Sequence, residues 1–177
     1  STEDTTPPVV ACDPDDSITE CVASDNENLA IAWNDANIAK LQACSSDDCS
    51  ENNVVVSSDF DFANFVVSCG SNGSITVTYT VTDDCGNVTT KQATYSTEDT
   101  TPPVVACDPD DSITECVASD NQNLATAWND ANIAKLQACS SDDCSENNVV
   151  VSSDFDFINF VVSCGNNGSI TVTYTIA

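Results

Sequence analysis

A tandem repeat dominates the sequence. Residues 1–8 (Ser-Thr-Glu-Asp-Thr-Thr-Pro-Pro) return as residues 96–103, and residues 1–82 align with residues 96–177 without a gap. The period of 95 residues fits one β-sandwich domain and exceeds the roughly 20–50 residues of a solenoid repeat. We predict two domains, residues 1–95 and residues 96–177, the second ending before the counterpart of its last strand. The two copies differ at six positions: Glu27/Gln122, Ile31/Thr126, Ala63/Ile158, Ser71/Asn166, Val81/Ile176 and Thr82/Ala177.

The charge of the chain excludes several classes of function. Twenty-nine Asp and Glu residues accompany three Lys residues, with no Arg and no His, so the formal net charge is −26. Binding to nucleic-acid phosphates or to an anionic membrane depends on Lys and Arg, and imidazole general-base catalysis depends on His. No apolar run reaches the ~18 residues of a membrane helix. We therefore expect neither an enzyme nor a protein that binds nucleic acid or inserts into a membrane.

Eleven cysteines predict a disulfide framework. The chain has no Cys-x-x-Cys pair and no His, so zinc is a poor explanation, and disulfides formed in an oxidising compartment are a better one. The second copy has five cysteines where the first has six, because the sixth would fall at position 180, after the last residue. Truncation therefore explains the odd count better than a reactive free thiol does. Because the faithful repeat also stops in mid-strand, we expect the chain to be an internal segment of a longer array.

Hydrophobic periodicity predicts a mainly β domain. Residues 75–82 alternate apolar and polar side chains, which is typical of a strand with one face on a core. Short β-branched runs at residues 8–10, 54–56 and 65–67 and a last strand at residues 88–95 indicate about seven short strands per repeat.

One segment of each repeat predicts a helix. Residues 28–43 are rich in Ala and Leu, contain no Gly or Pro, and place Leu29 and Trp33 at helical spacing, with Asp25 as the candidate N-cap. We expect Trp33 to close one end of a sandwich. Stacking of Trp33 on a ligand is the alternative.

Several motifs in a fixed order resemble a known family. They are residues 4–8 (Asp-Thr-Thr-Pro-Pro), the helix with its single Trp, residues 46–49 (Ser-Asp-Asp-Cys), residues 68–73 (Ser-Cys-Gly-x-x-Gly) and residues 82–87 (Thr-Asp-Asp-Cys-Gly-Asn). The set is similar to the hyalin-repeat-like (HYR), immunoglobulin-like tandem repeats of giant cell-surface gliding adhesins of Bacteroidetes, the SprB type, and it covers the whole chain. The cysteines Cys12 and Cys44 depart from the commonest pattern of that family.

The resemblance implies a structural role outside the cell. The fold would be a series of immunoglobulin-like β-sandwiches, each with one short inserted helix. The repeats would extend a filamentous adhesin that is exported by type IX secretion, attached to the outer membrane and moved along the cell surface in gliding motility. Its partners would be the neighbouring repeats of the same long chain, an external surface or polysaccharide, and the secretion and gliding machinery.

The same fold implies a pairing of the cysteines. The strand between Cys69 and Cys85 separates them by roughly 25 Å or more, so they cannot bond to each other. In a sandwich of this kind, the ends at which the other cysteines arrive predict three bonds in the first repeat and two in the second: Cys21–Cys69, Cys49–Cys85, Cys12–Cys44, Cys116–Cys164 and Cys107–Cys139.

The carboxylates have two interpretations. One is a solvated acidic face that keeps a filament soluble. The other is Ca²⁺, which takes six to eight oxygen ligands, bound where the start of each repeat meets two of its loops and stiffening the joint between repeats, as in cadherin-type arrays. The candidate ligands are Glu3, Asp4, Asp47, Asp48, Asp83, Asp84, Glu98, Asp99, Asp142 and Asp143.

Two further predictions concern carbohydrate. A Ca²⁺-dependent, lectin-like module that uses Trp33 is the alternative function, and it requires this side chain to be available to a sugar. By resemblance, adhesins of this kind are substrates of an O-glycosylation system that reads Asp followed by Ser or Thr and then an apolar residue. The candidate acceptors are Ser17, Ser112, Thr5 and Thr100, with an unmodified hydroxyl as the alternative at each.

Overall fold

The chain forms two compact units. The structure is a computed structural model that describes residues 3–49, 53–117, 119–145 and 149–177. Unit 1 comprises Ser1–Thr100 and unit 2 comprises Thr101–Ala177. The boundary lies five residues after the predicted one, because the last strand of unit 1 continues beyond residue 95. The chain as a whole contains more strand than helix, and each unit contains one long helix.

Unit 1 is built on one large sheet. The elements of unit 1 are β1 (Val9–Val10), β2 (Ser17–Glu20), α1 (Asn26–Cys44), β3 (Ser45–Ser46), β4 (Val55–Ser58), β5 (Val66–Cys69), β6 (Asn72–Thr82) and β7 (Val88–Glu98), with a 3-10 turn at Phe62–Asn64. The sheet has the strand order β2-β7-β6-β4, with β5 also paired to β6, and β1 and β3 form a separate antiparallel pair.

The pairing of β6 with β7 is the longest in the molecule. Ten consecutive residue pairs join the strands, from Gly73↔Thr97 to Thr82↔Val88. Strand β2 then adds to the other edge of β7 in the parallel direction, from Ser17↔Tyr95 onward. The predicted strand at residues 75–82 is confirmed within β6, and the predicted last strand extends three residues further than expected, to Glu98.

The period-2 pattern of β6 places its apolar residues on the core. Ile75, Val77, Tyr79 and Val81 are all at most 5% exposed, while the threonines between them lie on the other face or at its margin. The layer that covers this core face is helix α1, which packs against β4, β6 and β7. Leu41 of the helix is completely buried in the same cluster.

The predicted helix is confirmed, with small differences at its start. It begins at Asn26 rather than residue 28 and ends at Cys44. Asp25 occupies the N-cap position, but its side chain makes no capping bond to the backbone and instead accepts a hydrogen bond from the Asn28 side chain at 3.0 Å.

Trp33 lies between the helix and the sheet rather than at the end of a sandwich. Its ring packs edge-on against Tyr79 at 6.3 Å and tilted against Tyr95 at 5.7 Å, measured between ring centroids. Its indole N–H donates to the carbonyl oxygen of Asp15 at 2.7 Å. The half-buried Trp33 therefore joins three parts of unit 1: the helix, the sheet and the segment before β2.

Unit 2 repeats this arrangement with less strand structure. It has three two-stranded pairings, β8-β9, β10-β13 and β11-β12. Its elements are β8 (Val104–Val105), α2 (Asn121–Cys139), β9 (Ser140–Ser141), β10 (Val151–Ser153), β11 (Val161–Cys164), β12 (Asn167–Ser169) and β13 (Tyr174–Ile176), with a 3-10 turn at Phe157–Asn159.

The close approach of β5 to β6 predicts the effect of one substitution. A Cβ added at Gly73 would lie 2.4 Å from the carbonyl oxygen of Val66 and 2.5 Å from the ring of Phe65. We expect Gly73→Ala to lower the free energy of unfolding of unit 1 by about 1–3 kcal/mol, because either the strand or the ring must move. Urea unfolding in a Trp128→Phe background, in which Trp33 fluorescence reports on unit 1, measures this. Ser74→Ala on the next residue is the control, and equal midpoints for both variants would contradict the argument.

Candidate cation-binding site

Three aspartates of unit 1 meet at one end of the sheet. One carboxylate oxygen from each of Asp4, Asp47 and Asp83 lies within 4.8 Å of the other two. Asp4 precedes β1, Asp47 follows β3 and Asp83 follows β6. Because β1 pairs with β3, the first two residues are brought to the same place.

Two residues that follow Asp83 hydrogen-bond to the segment that contains Asp4. The Asn87 side chain donates to the carbonyl oxygen of Asp4 at 3.3 Å, and the Thr89 hydroxyl donates to the carbonyl oxygen of Pro8 at 2.7 Å. The N-terminal segment is therefore held against the loop that joins β6 to β7.

Asp83 is buried, and its own loop satisfies it. One oxygen accepts the backbone N–H groups of Cys85 at 2.8 Å and Asn87 at 2.9 Å, and the other accepts the Asn87 side-chain amide at 2.8 Å. Burial alone would raise the pKa of Asp83, but these hydrogen bonds outweigh it and hold the pKa below its ordinary value. Asp83 therefore stays ionised although it is only 6% exposed.

Asp47 and Asp4 complete the cluster. Asp47 is 9% exposed and accepts the backbone N–H of Cys49 at 2.9 Å. Asp4 accepts the backbone N–H of Thr6 with one oxygen at 3.0 Å. Its other oxygen, Oδ2, is completely buried and has no hydrogen-bond partner among the described residues. A buried carboxylate oxygen without a partner is costly unless something in the site satisfies it.

The donor set fits a hard cation. Like charges this close repel each other in a low dielectric, and a divalent cation between them would remove the repulsion and satisfy Asp4 Oδ2. Carboxylate oxygens are the ligands that Ca²⁺ prefers, and Ca²⁺ tolerates irregular geometry and additional water ligands. Asp4, Asp47 and Asp83 would hold the ion.

The structure separates these three residues from the other predicted ligands. Glu3, Asp48 and Asp84 are exposed and lie outside the cluster, and Asp84 accepts a hydrogen bond from the Asn53 side chain at 3.3 Å. Glu98 ends β7 at the far end of the ladder from Asp83, and Asp99 follows it.

Two of the ligands predicted in the second repeat follow β9. Asp142 repeats the turn of Asp47, accepting the backbone N–H groups of Cys144 at 2.9 Å and Ser145 at 2.8 Å, while Asp143 is exposed. Among the described residues, the three-carboxylate cluster occurs in unit 1.

The role of Asn87 in the cluster was not predicted from the sequence. Its side chain and backbone together give Asp83 two of its hydrogen bonds, and its amide also reaches Asp4. The signal was present in the run from Asp83 to Asn87. Gly86 there adopts a positive φ of 89°, which turns the chain back toward the carboxylate.

Two of the five predicted disulfide bonds are present in the structure. The structure contains the predicted bonds Cys12–Cys44 and Cys107–Cys139, each with a Cα–Cα distance of 6.0 Å. Each bond joins the segment after the first strand of its unit to the last residue of the helix. It thereby closes a loop with a sequence separation of 32.

The other three predicted bonds, Cys21–Cys69, Cys49–Cys85 and Cys116–Cys164, are not formed in this structure. The cysteines that are exposed free thiols are Cys49, Cys69, Cys85, Cys116 and Cys164.

Cys21 is already disulfide-bonded and is therefore not available to Cys69. An asparagine lies beside it: the Asn26 amide nitrogen is 3.6 Å from Cys21 Sγ and 3.0 Å from the carbonyl oxygen of Ser71, in the turn after Cys69. Cys21 is buried whereas Cys69 is exposed. Unit 2 repeats the arrangement, with Asn121 between Cys116 and the carbonyl oxygen of Asn166.

The third pair, Cys49 and Cys85, lies beside the aspartate cluster. Asp47 accepts the backbone N–H of Cys49, and Asp83 accepts the backbone N–H of Cys85. Each cysteine is therefore held in its own turn. The charge of Asp4, followed by burial, raises the pKa of the Cys49 thiol, and burial, followed by the charge of Asp4, raises that of Cys85. Both groups are therefore held in the protonated form, which is the unreactive form in disulfide exchange.

The predicted glycosylation sites differ in availability. Thr5 and Ser112 are exposed, and Ser17 is half-buried at the start of β2. The Thr100 hydroxyl donates to the Glu20 carboxylate at 2.6 Å, and the Thr100 backbone N–H donates to the same carboxylate at 2.9 Å. Modification at Thr100 would break this contact.

No family model, no curated protein and no solved structure matches the chain. Among the described residues, no helix is both long and apolar enough to cross a membrane.

The Cys12–Cys44 bond predicts a measurable contribution to stability. We expect the double variant Cys12→Ala, Cys44→Ala to lower the free energy of unfolding of unit 1 by about 2–4 kcal/mol, because the unfolded chain regains the freedom that the closed loop removes. Urea unfolding of oxidised protein measures it. Cys69→Ser removes an exposed thiol and is the control. A double variant as stable as this control would show that the bond contributes nothing.

The environment of Asp83 predicts a dependence on pH. The pKa of Asp83 is lower in the folded protein than the ~3.9 of an unfolded chain. Its contribution to stability is therefore present above pH ~4 and is lost as the pH falls through the folded pKa. We expect Asp83→Asn to be less stable than the parent at pH 7, with the difference shrinking on acidification.

Chemical unfolding at pH 7 and at pH 3, with protein and buffers first freed of divalent cations on a chelating resin, tests this without a contribution from bound cation. Asp48→Asn, an exposed neighbour on the adjacent loop, is the matched control. A deficit of the Asp83 variant that is the same at both pH values would refute the assignment.

Proposed function

We propose that each unit is an immunoglobulin-like extender repeat of an extracellular, filamentous cell-surface adhesin. The observation that carries the proposal is the position of the two ends of unit 1. Asp4 lies beside Asp83, and Asp83 immediately follows the last residue of β6. Thr100 is bonded to Glu20, which is paired with Glu98 at the opposite end of the sheet.

The long ladder separates these two ends. Ten residue pairs at about 3.4 Å per residue correspond to roughly 30 Å. A chain that begins at one end of a domain and leaves from the other adds the length of that domain to a filament. A domain whose termini lie side by side would not.

Composition supports the extracellular setting. Disulfides that close the helix onto the N-terminal segment are compatible with an oxidising compartment. The acidic chain has the solubility that a surface filament needs. The motif resemblance supports a gliding adhesin of the SprB type, which acts with its neighbouring repeats, an external surface or polysaccharide, and the secretion and gliding machinery, and not as an enzyme.

Calcium is the proposed resident ion of the aspartate cluster. Its effect would be to fasten the N-terminal segment, through Asp4, to the loops that carry Asp47 and Asp83. In a tandem array this segment is also the connection to the preceding repeat. The ion would then stiffen the start of each repeat at the point where the array would otherwise bend.

The lectin-like alternative receives less support. Trp33 uses its ring against Tyr79 and Tyr95 and its indole N–H on Asp15. A sugar-stacking Trp needs one ring face free for the ligand, so these contacts favour a packing role.

The extender proposal predicts how length depends on repeat number. Chains of two, four and eight 95-residue periods should increase in maximum dimension linearly, by at least about 30 Å per period. Small-angle X-ray scattering measures this dimension. Growth with the cube root of mass, as for a compact particle, would overturn the proposal.

The calcium proposal predicts binding that depends on Asp4. Titration calorimetry of the full chain should show one Ca²⁺ site in unit 1, with a loss of affinity of at least about tenfold in Asp4→Asn because a direct ligand is removed. Thermal stability should rise with Ca²⁺ concentration in the parent by mass action. Asp48→Asn should bind like the parent. Absence of saturable binding, or equal effects of the two substitutions, would exclude this site while leaving the extender proposal intact.

A further inference from the structure

Strand β4 lies at an edge of the large sheet in unit 1. It pairs with β6 and with no other strand among the described residues, so its second edge faces away from the sheet. A run of three valines at residues 54–56 leads into two serines along this edge. An edge rich in β-branched residues is a template for pairing with another strand, and folded proteins close or charge such edges.

A glutamine of the helix occupies this edge. Gln42 lies in the last turn of α1. Its Nε2 donates to the carbonyl oxygen of Val54 at 2.6 Å, and its Oε1 accepts the backbone N–H of Val56 at 3.1 Å. A carbonyl oxygen and the N–H two residues later are the groups with which a neighbouring strand would pair. The amide of Gln42 therefore takes the place of a neighbouring strand over this part of β4.

The alternation of the backbone identifies the other groups on the outer edge. The Val56 N–H points away from β6, because it is bonded to Gln42. The Asp59 N–H points the other way and donates to the carbonyl oxygen of Thr78 in β6 at 3.2 Å. Successive residues of a strand direct their N–H and C=O groups to opposite edges. Those of Ser58 therefore lie on the same outer edge as those of Val56.

Unit 2 repeats the contact of the glutamine. Gln137 Nε2 donates to the carbonyl oxygen of Val149, and Gln137 Oε1 accepts the backbone N–H of Val151 at 3.1 Å. Residues 149–153 have the same sequence as residues 54–58. Each repeat therefore brings both the same edge and the same glutamine. Wrong pairing between near-identical repeats is a characteristic failure of repeat proteins, so an edge of this kind needs a closure.

We propose that the outer edge of β4 is a strand-addition surface for a second copy of this chain, and that Gln42 is the autoinhibitory contact that keeps it closed. Without Gln42, two β4 strands would pair antiparallel, with Val56 opposite Val56 of the second copy and Ser58 opposite Val54. Such a two-fold pairing is self-complementary, since each edge supplies the donors and acceptors that the other needs. The inference does not depend on the proposed function.

Charge favours a second copy as the occupant. Residues 52–58 contain no charged side chain, although the chain has a net charge of −26. Val55, in the middle of this segment, is 64% exposed. The edge itself therefore offers no charge that would repel another copy of the same acidic chain. What opposes pairing, apart from Gln42, is the repulsion between two acidic molecules, and salt screens that repulsion.

The first test is sedimentation velocity of the full 177-residue chain carrying Gln42→Ala. Ala keeps the helix propensity of this position, and about 0.5 M NaCl shortens the Debye length to about 4 Å. We expect the parent to stay monomeric. The variant should form a reversible dimer with a Kd between about 10 µM and 1 mM, because a short edge supplies few main-chain hydrogen bonds. Non-reducing gels show whether the exposed thiols hold the dimer instead.

Gln42→Glu is the matched control. Its carboxylate can still accept the Val56 N–H but cannot donate to the carbonyl oxygen of Val54, and it places a charge on the edge, which prevents pairing. We expect this variant to unfold at a lower urea concentration than the parent, as Gln42→Ala does, and yet to remain monomeric. If Gln42 only stabilised the packing of α1 on β4, neither variant would dimerise.

A second substitution locates the surface. Ser58→Pro removes an outward N–H, which an edge strand tolerates. We expect the double variant Gln42→Ala, Ser58→Pro to be monomeric, and hydrogen exchange of Gln42→Ala to show protection at residues 56–58 that grows with protein concentration. Near-UV dichroism checks that each variant is folded. Gln42→Met, which keeps the volume of the side chain without its hydrogen bonds, replaces Gln42→Ala if the latter does not fold.

Four results would each overturn the proposal. The first is a folded Gln42→Ala or Gln42→Met chain that remains monomeric at about 1 mM in high salt. The second is association that persists when Ser58→Pro is added. The third is equal association of Gln42→Glu. The fourth is protection confined to residues outside 54–58.

Discussion

The ladder between β6 and β7 is the interaction on which the rest of unit 1 depends. With β7 beside it, β6 is one continuous strand of eleven residues, and the apolar face of the sheet is closed. Strand β2 pairs with β7 and with no other strand among the described residues, so it joins the sheet through β7 alone. A strand is thus stabilised by its partner as well as by its own residues.

This dependence explains how much of the fold the sequence could predict. The alternation over residues 75–82 and the Ala-rich segment at 28–43 carry their own periodicity, and both elements were found within a few residues. Strand β2 carries no such signal, because Ile18 is its only apolar residue and is 70% exposed. It exists through a parallel pairing with residues 95–98, far along the chain, and this pairing also moves the boundary of unit 1.

The aspartate cluster was predictable as a region but not as a set of ligands. Each loop offers two neighbouring carboxylates, Asp47 or Asp48 and Asp83 or Asp84, and composition cannot choose between them. The choice is made by a local turn in which the first carboxylate accepts the backbone N–H two residues later, from Cys49 or Cys85. This hydrogen bond directs the first aspartate inward and leaves the second one exposed.

The position of β2 also bears on how an extender would resist tension. Strand β2 lies close to the N-terminal end of unit 1 in sequence, and β7 leads to its C-terminal end, yet the two are parallel neighbours. Force applied to the two termini would pull these strands in opposite directions along their length, so that the four paired residues are loaded together and not one after another. The Lys91–Asp13 pair and the Thr94–Asp16 hydrogen bond cross the same boundary, and Cys12–Cys44 fastens the chain before β2 to the end of α1. Extension of the N-terminal segment would therefore stop at the disulfide, before the core beneath α1 is exposed.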